Sequence, residues 1–177
     1  CVGRPVWEMP SLSARTCGIC PVSHLLASSK TGDAVMGVRI PDTAVRLRRV
    51  VNLGQIIQSH ALSFFHLSAP DLLLGFDADP AVRNVFGLMA DAPELARRGI
   101  RLRGFGQSVI EAIAGRKVHS PGIVPGGIAE AMTEETRLEL LAGLDEAAET
   151  AGMALELFTG MLDQFDREVR AFGQFPS

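Results

Sequence analysis

Two cysteines three residues apart and a histidine four residues further on lie in the segment Arg15-Thr16-Cys17-Gly18-Ile19-Cys20-Pro21-Val22-Ser23-His24. Soft sulfur donors beside an imidazole point to a metal or redox centre. Pro21 has no N–H and a fixed φ, which suits the first turn of a helix, so the spacing predicts a helix starting at about Cys20 and running towards Lys30. Both thiols then sit at the electropositive end of that helix, where thiolates are favoured. His24 follows one turn later on the same side as Cys20, within reach of a sulfur or of a metal held by one.

The spacing by itself admits several chemistries. A structural zinc half-site wants a second Cys or His pair at short spacing, and none is present, since Cys1 stands alone and His60, His66 and His119 lie far downstream. A thioredoxin-like dithiol wants a strand before the CxxC, and the flanks carry no β-branched alternation. Two buried cysteines serving as small apolar side chains form the bland alternative.

The elements that must position this segment read as helices separated by Gly- and Pro-rich loops. Residues 46–68 hold Leu47, Val50, Val51, Ile57, Ala61, Phe64 and Phe65 at helical spacing, with apolar residues on the other faces too, so a buried helix is expected. His60 and His66 are six apart on it, cannot form an i,i+4 pair, and read as core histidines. Pro70 to Pro80 reads as a loop; Asp71, Asp77 and Asp79 lack the Gly and terminal Glu of a calcium loop and read as a solvated turn. A helix is expected from Asp91, with Pro93 in its first turn, to Gly115, carrying an ion-paired patch of Arg97, Arg98, Arg101 and Arg103. The Gly- and Pro-rich stretch 115–127, with donors on Arg116, Lys117 and His119, is the second segment suited to line a site. It lacks the spacing of a phosphate loop. Last comes a helix capped by Thr133, begun by Glu134 and Glu135 and stopped by Gly173, with a stripe running Leu141, Leu144, Ala148, Ala151, Leu155, Phe158, Leu162, Phe165, Val169 and Phe172. Roughly 40 residues at 1.5 Å each span about 60 Å. A 177-residue globule, with a radius of gyration of about 16 Å, cannot cover that length alone.

Three blocks, in order, resemble nickel-iron hydrogenase large subunits: Gly3 to Pro10 followed by Ala14 to His24; Ser59-His60-Ala61-Leu62-Ser63-Phe64-Phe65-His66-Leu67; and Gly115 to Gly122 with Val124-Pro125-Gly126-Gly127. Trp7-Glu8-Met9-Pro10 and Pro70-Asp71-Leu72-Leu73-Leu74-Gly75 are most similar to the cytoplasmic NAD-reducing, bidirectional branch. The resemblance implies a mainly α, long-helix bundle of the large-subunit type with small irregular or β portions, residues 1–177 being part of one catalytic domain and an internal, by itself inactive, fragment of the parent chain. It implies reversible heterolytic cleavage of H2 at a nickel-iron centre whose iron carries carbon monoxide and cyanide. Cys17 is then a terminal nickel ligand and Cys20 a nickel-iron bridge. Arg15 and His24 stand next to the sulfurs, His66 approaches the site, and His119 belongs to the loop beside it. Two further cysteines, and residues for a magnesium ion, are expected outside this sequence. Electrons would pass through iron-sulfur clusters of a small subunit to flavin-containing diaphorase subunits and NAD. Rival readings are a metal-free quinone-reductase scaffold of the same fold and a zinc-binding interaction module.

Composition supports the bland half of this picture. With 47% hydrophobic residues the chain can bury a sizeable core. A formal charge of −3 and a pI near 5.8 give no reason to expect nucleic acid. No apolar run reaches the roughly 18 residues of a membrane span, and a soluble cytoplasmic protein is expected. Three cysteines make no disulfide framework and are too few to hold iron-sulfur clusters as well.

Overall fold

The computed structural model describes residues 1–171, apart from the side chain of Val169. It is mainly α-helical, as expected. A turn of 3-10 helix, Val6–Glu8, leads into α1 (Met9–Ala14), and α2 (Pro21–Val35) follows the two cysteines. Then come α3 (Asp42–Ala61), a π-helix (Leu62–Ser68) and α4 (Ala69–Leu74) in one continuous rod. Next are α5 (Val85–Asp91), capped by Asn84, and α6 (Pro93–Ala114), which ends on Gly115 at φ 87°. Strands β1 (Ile123–Val124) and β2 (Gly127–Ile128) pair antiparallel, Ile123 opposite Ile128. The described chain closes with α7 (Glu134–Ala142), α8 (Leu144–Met161), a 3-10 turn (Leu162–Phe165) and α9 (Asp166–Ala171).

The core is organised by α3 crossing α6. A Cβ on Gly106 would stand 2.7 Å from both the Gln58 backbone nitrogen and the Gly54 carbonyl oxygen, so the two helix backbones touch where Gly54 faces Gly106. This contact sets the height of α3 against α6. On one side of it Ala14, Val22, Leu25, Val51, Val109, Ile110, Ile113 and Ile123 pack together, joining α1, α2 and the hairpin to the pair. On the other, Ala61, Phe65, Leu102 and Ala147 join the π-helix and α8.

A second tie is polar. Arg48, on α3 and 5% exposed, forms an ion pair with Asp33 of α2 at 2.5 Å. It also donates to the carbonyls of Val124 (2.7 Å) and Gly127 (3.2 Å), while Asp33 accepts from the Gly126 N–H (2.7 Å). One guanidinium thus joins two helices to the hairpin, with the buried charges paired and hydrogen-bonded as burial requires. Burial alone would raise the Asp33 carboxyl, but the hydrogen bond and charge of Arg48 and the Gly126 amide more than offset it, so its pKa is lowered.

Several expectations are corrected. The rod begins at Asp42 rather than Arg46, and its far end is π-helical. It is not buried all round: Val45, Val50, Leu53 and Ile56 are exposed on its outer side. The loop expected from Pro70 begins only at Gly75, because the rod runs on through Pro70, which follows the π-helix in the first turn of α4. Short helices α1 and α5 had no clear periodic signal. The long final helix is broken, first at Gly143, where the Phe105 ring comes so near that a Cβ would lie 3.1 Å from it, and again by the 3-10 turn. Thr133 does cap α7, accepting from the Thr136 N–H. The stop expected at Gly173, with Phe172, lies outside the described residues. The apolar stripe is not covered within this chain: α8 turns Ala147 and Thr150 inward, small residues that let it lie close to α6, while Leu141 of α7, Leu144, Leu155 and Phe158 of α8 and Leu162 of the 3-10 turn are exposed. Phe158 still meets Phe64 edge-on at 6.3 Å.

The arginines of α6 are ion-paired as expected: Arg97 with Glu94, Arg98 with Glu94 and Glu149, and Arg101 with Glu94 and Glu146. These pairs lie at the surface and add little each. Arg103 differs, with its Nε buried and unpartnered among the described residues. Among the described residues no helix is long and apolar enough to cross a membrane.

Candidate metal centre

Cys20 is the residue preceding α2, at φ −117° and ψ 37°, and Pro21 is the first residue inside it. The helix is anchored by Val22 and Leu25, both essentially inaccessible, so its N-terminal end is held fixed under the cysteine loop. Ser13 of α1 donates to the carbonyls of Pro10 (3.1 Å) and His24 (3.3 Å), tying α1 to the same turn.

This brings three donors together. Cys17 Sγ, Cys20 Sγ and a ring nitrogen of His24 lie within 4.8 Å of one another. The two sulfurs are 2.7 Å apart, beyond the roughly 2.05 Å of a disulfide. The Cys20 S–H donates to Cys17 Sγ, and so does the Cys20 backbone N–H at 3.1 Å. The thiols consequently diverge. The pKa of Cys17 is lowered, chiefly by the Cys20 thiol and then by the Cys20 and Ile19 amides. That of Cys20 is raised, first by the same hydrogen bond, then by burial and by the charge on Cys17. A cation would displace the shared proton and take both sulfurs as thiolates.

Two soft sulfurs and an imidazole, converging at a helix N-terminus and half-exposed, fit a thiophilic transition metal. They do not complete a closed tetrahedral shell. Neither β strand precedes the cysteines and no second Cys or His pair joins the cluster among the described residues, which disfavours the dithiol and zinc-module readings.

The other candidates fall elsewhere. Arg15 ends α1 and is exposed. His119, at φ 51°, donates from Nδ1 to the Ala14 carbonyl at 3.1 Å, tying the glycine-proline loop to α1 one residue before Arg15. His66 lies in the π-helix, outside the donor cluster, with Nδ1 buried and unpartnered among the described residues; burial lowers its pKa, helped by the Arg103 charge and opposed by the Ala61 carbonyl. His60, expected in the core, is exposed instead and bonds the Ile56 carbonyl of its own helix at 2.8 Å.

Composition and spacing gave no prominence to Gln55 and Gln58, 3% and 4% exposed, whose side-chain amides both donate to the Ile19 carbonyl between the cysteines. Two glutamines three residues apart in an otherwise apolar stretch of α3 were the available signal.

A helix bundle that delivers a CxxC and a histidine to one point offers a site of soft donors for a transition metal, and comparison with known proteins gives the family. Residues 1–82 match the model of the nickel-dependent hydrogenases. The vhu-type F420-non-reducing hydrogenase chain of Methanocaldococcus jannaschii is 45% identical over 172 residues, covering 97% of this chain and 41% of that protein. The NAD-reducing hydrogenase HoxS subunit beta of Cupriavidus necator is 36% identical over 187 residues, covering 99% and 38%. A crystal structure of an NAD+-reducing [NiFe]-hydrogenase in the H2-reduced state superposes with a TM-score of 0.94 at 49% identity, over 98% of this chain and 39% of that one. The chain belongs to the nickel-dependent hydrogenase family. It spans about two fifths of the length of the curated relatives it matches.

Proposed function

We propose that this chain is part of the catalytic large subunit of a nickel-iron hydrogenase that cleaves H2 reversibly and heterolytically, with NAD+ as the final electron acceptor. The observation that carries this is the convergence of Cys17, Cys20 and His24 at the start of α2, in a member of the nickel-dependent hydrogenase family. Cys17 Sγ would be a terminal nickel ligand and Cys20 Sγ a bridge between nickel and iron. The remaining sulfur ligands would come from outside residues 1–177. When bound, the group supplies Lewis acidity and redox chemistry towards H2. The chain's own part is to hold two thiolates at a helix N-terminus and to orient Cys17 through the Cys20 N–H.

The same reading gives the iron carbon monoxide and cyanide ligands. It sends electrons through iron-sulfur clusters of a small subunit to flavin-containing subunits in the cytoplasm. NAD+ as acceptor is supported by the 49% identical NAD+-reducing structure. The 45% identical relative, named F420-non-reducing, favours a second reading with a different acceptor. The test is H2-dependent reduction by the assembled enzyme. NADH formation is expected; reduction of a viologen dye without NADH would leave hydrogen cleavage standing and remove NAD+, and reduction of neither would overturn the proposal.

His24 would tune the sulfurs without binding metal. A hydrogen bond from the His24 ring to a metal-bound thiolate would be worth about 1.5–3 kcal/mol, so His24→Ala is expected to retain nickel and iron while turnover falls about 10- to 100-fold. Metal analysis beside steady-state kinetics checks this; loss of nickel would make His24 a ligand.

A further inference from the structure

The loop between the cysteines is held from behind by two buried amides. Gln58 Nε2 donates to the Ile19 carbonyl at 2.8 Å and Gln55 Nε2 donates to the same oxygen at 3.2 Å. The carbonyl oxygen has two lone pairs, and both are used. The Ile19 side chain faces solvent, 51% exposed, so apolar packing does not hold this residue. Its inward carbonyl is the fixed point, on the peptide bond that joins Ile19 to Cys20. The glutamines are fixed in turn by the glycine crossing, since the Gln58 backbone and the Gly54 carbonyl both touch Gly106 of α6.

We infer that Gln55 and Gln58 are positioning residues for the two thiols: by clamping the Ile19 carbonyl they set the turn that brings Cys17 Sγ and Cys20 Sγ together before any metal arrives. This rests on the reading of the loop as a metal-binding loop. The two amides are unequal. Gln55 Oε1 is buried with no donor among the described residues, so a methionine at position 55 removes an unpaired acceptor along with one donor. Gln58 makes the shorter bond, and methionine there only takes away. Either single change leaves the carbonyl one donor; the double change leaves it with none.

The test compares Gln55→Met, Gln58→Met and the double variant in the complete metal-free subunit by hydrogen exchange at the Cys20 amide, which donates to Cys17 Sγ. Gln55→Met is expected within a few-fold of wild type and Gln58→Met somewhat faster. The double variant should exchange roughly 5- to 150-fold faster, the range for an unpaired buried carbonyl. Amides in the middle of α3 and α6 should be unchanged throughout. Nickel uptake is measured in parallel and should fall only in the double variant. Exchange at Cys20 within twofold of wild type in the double variant would overturn the clamp. Faster exchange spread evenly over α3 and α6 would overturn it too, because the glutamines would then serve stability alone. A wild-type protein that takes up no nickel, with the exchange pattern as expected, would remove the metal reading and leave the clamp standing.

Discussion

Replacing Cys20 with alanine in the complete enzyme is expected to lower bound nickel and iron together to background and to abolish hydrogen oxidation. Cys17→Ala should chiefly lose nickel. The difference follows from the proposed roles, since a bridging sulfur touches both metals and a terminal one touches only nickel. Thiolate bonds make up most of the metal's binding free energy at a soft site, and alanine offers no donor in their place. The fold should survive both changes, because each cysteine is only half-buried and the elements around it are anchored by Val22, Leu25 and Ala14. Metal analysis of the purified variants, with circular dichroism as the control for folding, checks this. If both variants retain nickel and iron at wild-type levels, the ligand assignment is wrong.

The largest expected effect on stability lies away from the thiols, at the Asp33–Arg48 pair. Asp33→Ala leaves a guanidinium that is 5% exposed without its counter-charge, and the Gly126 N–H without its acceptor. Breaking a buried pair on one side typically costs about 3–5 kcal/mol, so a large fall in the denaturant midpoint is expected. Arg48→Met should be milder, since the Asp33 carboxylate it leaves behind is less buried than the guanidinium and keeps the Gly126 N–H, although the Val124 and Gly127 carbonyls lose their donor. The wild type should show a matching pH dependence. The folded-state pKa of Asp33 is depressed, so the unfolded chain binds its proton first; the stability from this carboxylate is present in full above the ordinary carboxylate value and lost as pH falls through the lower folded value. In Asp33→Ala that acid-side loss should be absent. An unchanged midpoint in Asp33→Ala, or an identical acid limb in the variant, would refute this role for the pair.

How much of this was legible in the sequence differs by element. The start of α2 was, because Pro21, with its fixed φ and missing N–H, suits the first turn of a helix, and so was α6, framed by Pro93 and Gly115. That His24 meets Cys20 followed from helical geometry, whereas Cys17 joins them through the turn before α2. The break at Gly143 was not legible, since only the Phe105 ring packed against it distinguishes that glycine from a tolerated one within a helix. The face that α8 turns to α6 was not legible for a related reason: close packing selects the small Ala147 and Thr150, while the large apolar residues of the stripe stay uncovered within this chain. Gln55 and Gln58 act on a backbone carbonyl far away in sequence, and Asp33 and Arg48 meet only once α2, α3 and the hairpin are assembled. Nothing short of the fold joins them.

The central claim is that Cys17 and Cys20 together hold nickel, with His24 beside it and unbound. Anomalous diffraction recorded across the nickel absorption edge, from crystals of the complete subunit, tests this directly. A nickel peak about 2.3 Å from both Cys17 Sγ and Cys20 Sγ, the usual length of a thiolate bond to such a metal, is the predicted result, with no bond from either His24 nitrogen. A peak elsewhere, a peak bonded to His24, or a zinc signal with no nickel at the cysteines would contradict it.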